Sequence, residues 1–378
     1  MRQLPWLFVI IGIILAIAGT SWYIGKVNST HPAIWPMVGG DSSRRNFSAQ
    51  PLPQKSEVLW TYPLGEFGPG GRIGPIRALA EPVVWKDGTS IVGFGTKVHA
   101  VGPDGKRKWA WESKTAIISL ALGRRGEVYA LADGMLYALN PDGTQQWQVE
   151  VDVEIEEARA LVVGQGGTIY VSGREYLIAV TSTGERKWRF HGGRLSAGPV
   201  EMSDGKLVVM IQNKLYLLTR DGDTVWEREA TTPLSYLSLA AWQDRIYIVG
   251  GDRMIIDSKG HTVTQEPHAR ALTYPAVGEQ FIQDGMFRYD RDWEVALWSV
   301  PRDTSVLSPA LSVVDADGNA VITMGAGVGM FDARGQNKWI ETKVQVFALP
   351  VPAGERRMLM VGGQSGKPGL YLIMVGDK

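Results

Sequence analysis

Short apolar runs, parted by turn residues, follow one another along the chain after residue 26, and no helical spacing of apolar positions is sustained there. Typical runs follow a glycine, as in Gly126–Ala130 and Gly167–Val171, and are rich in valine, isoleucine and tyrosine. Runs of this composition bounded by Gly, Asp and Pro are typical of β-strands joined by tight turns. The pattern therefore predicts an all-β body.

A longer sequence motif recurs along this all-β part of the chain. Residues 138–143 read Ala-Leu-Asn-Pro-Asp-Gly, and Trp147 follows the glycine by four positions. The repeated positions are Gly105, Gly143, Gly184, Gly222, Gly260 and Gly335, with Trp60, Trp109, Trp147, Trp188, Trp226, Trp298 and Trp339. Two copies are degenerate, because Thr264 replaces one tryptophan and Glu294 replaces one glycine.

This motif recurs about every 40 residues, and each repeat unit contains several strands. A period of this length with several strands per unit is typical of β-propeller blades. We therefore predict eight four-stranded blades over residues 58–378. The glycine is expected to adopt positive φ in the turn before the fourth strand, and the tryptophan to wedge between adjacent blades.

The two ends of the body complement each other. Residues 58–62 read as a fourth strand with no unit in front of it, whereas residues 358–361 and 370–374 read as strands of a unit that lacks its fourth strand. We expect the N-terminal strand to pair with the last blade and close the ring without a free edge.

The N-terminus carries an apolar run with no charged side chain between Arg2 and Lys26. About 20 such residues can cross a bilayer as a helix, and Trp6 and Trp22 lie near its ends, where interfacial aromatic residues are favoured. We predict a single transmembrane helix over residues 1–25; a cleaved signal peptide, with a site near Ala18, is the alternative. Residues 26–57, which are rich in Pro, Ser and Gly, are expected to be a linker.

Composition narrows the functions that remain. Lys plus Arg and Asp plus Glu are both 39, so the formal net charge is zero and a chain-wide basic surface for nucleic acid is excluded. The absence of cysteine excludes disulfides, thiolate metal sites and a cysteine nucleophile. The five histidines lack the spacing of a helical zinc site, so no metal or cofactor is expected.

One set of charged residues is a candidate binding site. Arg77, Arg159 and Arg270 each precede Ala-Leu at the predicted start of a first strand, the strand nearest the ring axis. Three guanidinium groups at one mouth of the channel would attract an anionic ligand or an acidic partner loop. The alternative is that each arginine pairs with a nearby carboxylate, such as Glu154, Glu156 or Glu157 for Arg159.

The repeat resembles the pyrroloquinoline-quinone-like (PQQ-like) propeller family. The resemblance rests on residues 138–143 with Trp147, on the counterparts of this phrase, and on Trp35-Pro36-Met37 ahead of the propeller. It implies the fold over nearly the whole chain after residue 26, and it says little about function. Quinone-dependent enzymes of the family are longer and carry an adjacent cysteine pair, which this chain lacks.

The expected function is therefore that of a membrane-anchored, non-catalytic scaffold that lies outside the cytoplasm and binds an envelope protein or polymer. A propeller that senses a small ligand and a quinone-dependent dehydrogenase are the two alternatives.

Overall fold

The computed structural model describes most of the chain as strands and turns. The described residues are 31–65, 79–132, 134–151, 161–173, 175–193, 195–229, 238–249, 253–266, 276–277, 281–284, 287–290, 296–299, 312–324, 327–364 and 367–378. Thirty-four strands lie in this part. They form eight sheets, and residues Ala33–Lys378 make up a single compact unit.

Seven sheets each contain four strands that are consecutive in the chain, and we call them the first to the seventh blade. Two strands precede them, β1 (Phe47–Ser48) and β2 (Glu57–Gly65). The first three blades are β3–β6 (Leu79–Val84, Ser90–Phe94, Lys97–Val101, Arg107–Glu112), β7–β10 (Ile117–Leu122, Val128–Ala132, Met135–Leu139, Gln145–Glu150) and β11–β14 (Leu161–Val163, Ile169–Ser172, Tyr176–Val180, Arg186–His191).

The remaining blades follow the same order. They are β15–β18 (Leu195–Glu201, Leu207–Ile211, Lys214–Leu218, Thr224–Glu229), β19–β22 (Ser238–Trp242, Arg245–Val249, Arg253–Asp257, Thr262–Glu266), β23–β26 (Ala276–Val277, Phe281–Asp284, Phe287–Asp290, Ala296–Ser299) and β27–β30 (Ser312–Asp315, Ala320–Met324, Gly327–Phe331, Asn337–Glu341).

The last sheet is a composite of both ends of the chain. It contains β31 (Val344–Val346), β32 (Val351–Gly354), β33 (Arg357–Gln364), β34 (Lys367–Gly376) and the N-terminal strand β2. β2 pairs antiparallel with β34, so the N-terminal strand supplies the outer strand of this sheet. β32 also contacts β3 of the first blade, and this contact joins the last sheet to the first.

The prediction of an eight-bladed propeller of four-stranded blades is wrong, because the structure has seven blades. Only seven sheets are built from four consecutive strands. The composite sheet has five, because its inner edge is split between β31 and β32, which both pair with β33. The seventh blade also gains a fifth strand, since β1 pairs parallel with β27.

The predicted transmembrane helix is not among the elements that the structure describes. Every described element is a strand, and the described residues contain no helix that is long and apolar enough to cross a membrane. Residues 1–25, on which that prediction rests, lie outside the described residues.

Burial decreases from the inner to the outer strands in the blades whose side chains the structure describes. In the second blade, every residue of β7 and β8 is buried, whereas β10 alternates between exposed and half-buried positions. Both faces of an inner strand are covered by neighbouring blades, and a strand buried on both faces is continuously apolar. The outer strands face solvent in part and therefore keep a two-residue period.

The repeated tryptophans and glycines meet between blades rather than within one. The indole nitrogen of Trp109 in the first blade donates to the Pro141 carbonyl of the second, two residues before Gly143. The same bond joins Trp60 to Pro103, Trp147 to Ser182, Trp188 to Arg220 and Trp226 to Ser258, at 2.8–3.1 Å. The side chain of Trp298 lies outside what the structure describes.

The N-terminal residues complete this series of bonds. Trp339 in the seventh blade donates to the carbonyl of Pro53 at 3.0 Å, because the chain ahead of β2 takes the place of the missing turn. The ring is therefore closed by side-chain bonds as well as by the pairing of β2 with β34.

Candidate functional site

One end of the ring is covered by residues 33–53, which we call the N-terminal cap. These residues cross the ends of the inner strands of successive blades. Trp35 exchanges two backbone hydrogen bonds with Val84 at the end of β3, and the Pro36 carbonyl accepts from Leu122 at the end of β7. The carbonyls of Ser42, Ser43, Arg45 and Asn46 then accept from Glu201, Ala241, Val277 and Val314, which lie on the fourth to the seventh blades.

The cap differs from the linker that the sequence predicts. Its apolar side chains Trp35, Met37 and Leu52 are each only 1% exposed. A linker would leave these groups in water, whereas here they pack between the inner strands of the blades. The cap therefore adds apolar burial as well as hydrogen bonds to the propeller.

Two buried carboxylates hold the backbone of the cap and of a neighbouring turn. Asp315 is fully buried at the end of β27 and accepts from the Leu52 amide at 2.9 Å and from Asn319. Glu201 is 1% exposed at the end of β15 and accepts from the Gln165 amide at 2.7 Å. Burial raises the pKa of Glu201, although the hydrogen bond from Gln165 opposes the shift.

A charged pair stabilises the turn of the cap. Arg45 is 7% exposed and bonds Asp41 at 2.7 Å, while its guanidinium lies 4.1 Å from the ring of Trp242. Asp41 also accepts from the backbone amide of Ser43. The charge of Arg45 is thus compensated inside the cap by an ion pair and a cation–π contact.

The chain direction defines the opposite end of the ring, which we call the far end. Each inner strand runs from the far end to the cap, so the turns between second and third strands lie at the far end. Exposed residues there include Lys97, Glu175 and Gln212. The turns that carry the repeated glycines lie at the capped end.

The three predicted arginines lie outside the described residues. In the sequence, Arg77 and Arg159 stand two positions before the inner strands β3 and β11, whereas Arg270 stands six positions before β23. The beginnings of these strands are at the far end. Whether the three guanidinium groups converge remains a prediction of the sequence.

No group of three or more His, Asp or Glu residues in the described part of the chain could hold a metal ion. His99 is a buried histidine whose Nδ1 lies 3.1 Å from the Tyr62 hydroxyl of the neighbouring composite sheet. Burial lowers the pKa of His99, and the side chain joins two blades. The carboxylate of Asp315 accepts from Asn319 and from the Leu52 amide of the cap.

The family of the chain is indicated by a sequence profile. The profile described as outer membrane protein assembly factor BamB matches residues 52–181, 132–271 and 173–345. These matches overlap and together span 52–345, which is more than half of the chain. No curated protein matches the chain significantly.

Solved structures show the same fold at low identity. BamB from Moraxella catarrhalis is 13% identical with a TM-score of 0.61, covering 79% of this chain and 94% of that chain. Sqt1 from Saccharomyces cerevisiae is 12% identical with a TM-score of 0.63, covering 85% and 100%. Virginiamycin B lyase from Staphylococcus aureus is 12% identical with a TM-score of 0.50, covering 79% and 94%. Such likeness shows the fold and leaves function to other observations.

Proposed function

Because the chain belongs to the PQQ-like repeat family of the outer membrane protein assembly factor BamB, we propose that it is a propeller of the cell envelope that binds a protein partner. The family profile covers most of the blades, and it supports an envelope location. We propose that the propeller is a scaffold without catalytic activity of its own. This role rests on the family and on the geometry of the ring.

The position of the N-terminal cap carries the proposal. The cap bonds backbone donors at the ends of the inner strands on six of the seven blades, and the Gln50 side chain accepts from the Glu355 amide of the composite sheet. Its apolar side chains Trp35, Met37 and Leu52 are buried in the cores that the blades form at that end. A partner would therefore approach the far end, where the turns between second and third strands and the connections from each blade to the next lie.

The three arginines give this end a proposed chemistry. Arg77, Arg159 and Arg270 precede inner strands whose beginnings lie at the far end. We propose that they present cationic groups to an acidic loop of the partner, because guanidinium groups bind carboxylates through paired hydrogen bonds. A location outside the cytoplasm, with attachment to a membrane through the N-terminal residues, belongs to the same proposal and rests on the apolar run of the sequence.

A co-purification experiment tests the partner and the end of the ring that it uses. The intact chain is crosslinked in its native cells, and the proteins that co-purify are identified for the wild type and for the triple variant Arg77→Ala, Arg159→Ala and Arg270→Ala. The matched control changes three exposed cations in turns at the capped end, Lys106, Lys259 and Arg334, to alanine. We expect an envelope protein that the control retains and the arginine variant loses. Equal recovery from both variants would contradict the proposal.

A further inference from the structure

The outer strand of the third blade, β14, has an unusual composition. It reads Arg-Lys-Trp-Arg-Phe-His over Arg186–His191. Lys187, Arg189 and His191 are exposed and alternate with Trp188 and Phe190, which are half-buried. Since side chains alternate between the faces of a strand, Arg189 and His191 share one face. Lys187 lies at the register shift where Arg186 pairs with Val180, and it is exposed as well. The strand therefore presents a basic stripe toward solvent.

The corresponding strands of neighbouring blades end in an acid. In the first blade Glu112 is paired in register with Lys97, and in the fourth blade Glu229 is paired with Lys214. In the third blade the same register holds His191 opposite Tyr176. The acid at the end of the strand and the cation opposite it are both replaced, so the basic side chains of β14 face no carboxylate from their own hairpin at this position.

The charge of this stripe is not compensated inside the described structure. Neither Lys187 nor Arg189 has a carboxylate within salt-bridge distance among the described residues. Two lysines on the outer strands of other blades are paired, Lys108 with Asp87 at 3.0 Å and Lys338 with Asp332 at 3.2 Å. The stripe therefore retains charge that an external anion could neutralise.

The stripe is also ordered by an aromatic ring. The guanidinium of Arg189 lies 4.3 Å from the centre of the Tyr176 ring, and the His191 ring lies 5.0 Å from it. Stacking on an aromatic face restricts the guanidinium while its N–H donors stay directed outward in its plane. Arg189 is therefore held in a conformation suited to a carboxylate.

The backbone beside the stripe is a sheet edge. β14 is the terminal strand of its blade and pairs only with β13 in the described structure. An edge strand offers a row of N–H and C=O groups to another strand. Side chains at alternate positions repeat at about 6.6 Å, which is also the spacing of alternate residues in any strand added beside it.

We propose that β14 is a docking edge for an extended acidic segment of a protein partner, which adds as a strand and places carboxylates at alternate positions opposite Lys187 and Arg189. Backbone bonds would supply affinity, and the basic stripe would select acidic segments. This inference goes beyond the proposed function, because β14 lies on the outer rim of the ring and not at its far end.

Peptide binding to the full chain tests the proposal. The probe is a fluorescent ten-residue peptide that alternates glutamate with valine, and binding is followed by anisotropy at low salt. A second peptide replaces two valines by proline, which keeps the charge and removes backbone donors. We expect Lys187→Glu with Arg189→Glu to weaken binding of the first peptide by at least about tenfold. Lys106→Glu with Lys108→Glu on the first blade, which changes the net charge equally, should change binding by less than about twofold.

Three results would overturn the proposal. The first is equal weakening by the two charge reversals, because the attraction would then be non-specific. The second is equal affinity for the proline peptide, because strand addition would then be absent. The third is that neither peptide binds, whereas phosphatidylglycerol vesicles bind to the wild type and not to the β14 variant. The stripe would then bind a membrane surface and not a protein strand. Each readout uses purified protein, so failure of the cellular co-purification experiment leaves these results interpretable.

Discussion

The indole nitrogen of Trp109 donates a 2.8 Å hydrogen bond to the carbonyl of Pro141 in the next blade, and the same ring fills the space beside Gly143. A Cβ atom at Gly143 would lie only 2.6 Å from this ring. The two halves of the repeated motif therefore belong to one contact between adjacent blades. The tryptophan requires the glycine of the following unit, and the motif propagates around the ring.

Removal of the hydrogen bond between the Trp109 indole and Pro141 should lower the stability of the fold only slightly. We expect Trp109→Phe, which keeps an aromatic ring, to lower the free energy of unfolding by about 1 kcal/mol. Trp109→Ala should cost about 3 kcal/mol, because it also removes the packing between blades. Chemical denaturation followed by tryptophan fluorescence and by circular dichroism measures both effects. Gln148→Ala on the outer strand of the second blade is the exposed control, and a Trp109→Ala effect no larger than this control would refute the account.

The glycine side of the contact can be tested separately from backbone conformation. Gly143 and Gly167 both have positive φ, at 88° and 79°, but no atom lies within 4 Å of a Cβ built on Gly167. Alanine at either site meets the left-handed strain of about 1 kcal/mol. Only Gly143→Ala should add the steric cost against Trp109, a further 1–3 kcal/mol or so. Equal destabilisation of the two variants in denaturant titrations would show that the indole contact contributes nothing.

The buried carboxyl of Glu201 should give the capped end a pH dependence. Burial raises the pKa of Glu201 in the folded state above its ordinary value of 4.5. The folded chain thus binds this proton more tightly than the unfolded chain does. The stabilisation is complete below the ordinary pKa and is lost as the pH rises through the raised folded value. We expect the stability of the wild type relative to Glu201→Gln to fall over this range.

Unfolding free energies of both proteins, measured at several pH values between about 4 and about 8, check this sign. Glu150→Gln, at an exposed carboxylate, is the matched control. If the stability of the wild type relative to Glu201→Gln instead rises with pH, the hydrogen bonds to the Glu201 carboxylate outweigh the effect of its burial.

The sequence predicts the all-β repeat, although not the number of blades, because the determinants of the repeat are local. The turn at Gly143 and the position of Trp147 recur at each period, so a repeat search finds them without knowledge of distant contacts. What the motif does not reveal is that the glycine meets the tryptophan of the preceding unit, as it does at Gly105, Gly143, Gly184, Gly222 and Gly260. That contact depends on the packing of neighbouring sheets, and positive φ alone already explains a glycine in the turn.

The cap could not be predicted in the same way. Ser42 and Ser43 contact residues more than 150 positions away, and each makes a single backbone contact with a different blade. Such contacts leave no periodic pattern in the sequence. The prolines on either side of Ser42 and Ser43 are instead typical of a flexible linker. The available signal was the apolar character of Trp35, Met37 and Leu52, which is unusual for a linker.

The candidate arginines can be identified from the sequence alone, whereas the β14 stripe can be identified only from the structure. Arg77, Arg159 and Arg270 stand out in the sequence because each precedes the same dipeptide, although their register relative to the inner strands differs. The exposed cations Lys187 and Arg189 stand out only when the ion pairs of the other blades are compared with theirs. Charge compensation is a property of neighbouring strands and turns, and a sequence pattern does not contain it.

Site-specific photocrosslinking in living cells tests the central claim most directly. A photoreactive residue is placed at Gln212 or Glu175, which lie in turns at the far end, and in parallel at Asp221 or Asp142, which lie in turns at the capped end. The account predicts a discrete crosslinked protein from the far-end positions and none from the capped-end positions. A crosslink confined to Asp221 or Asp142 would contradict the claim that the partner binds opposite the cap.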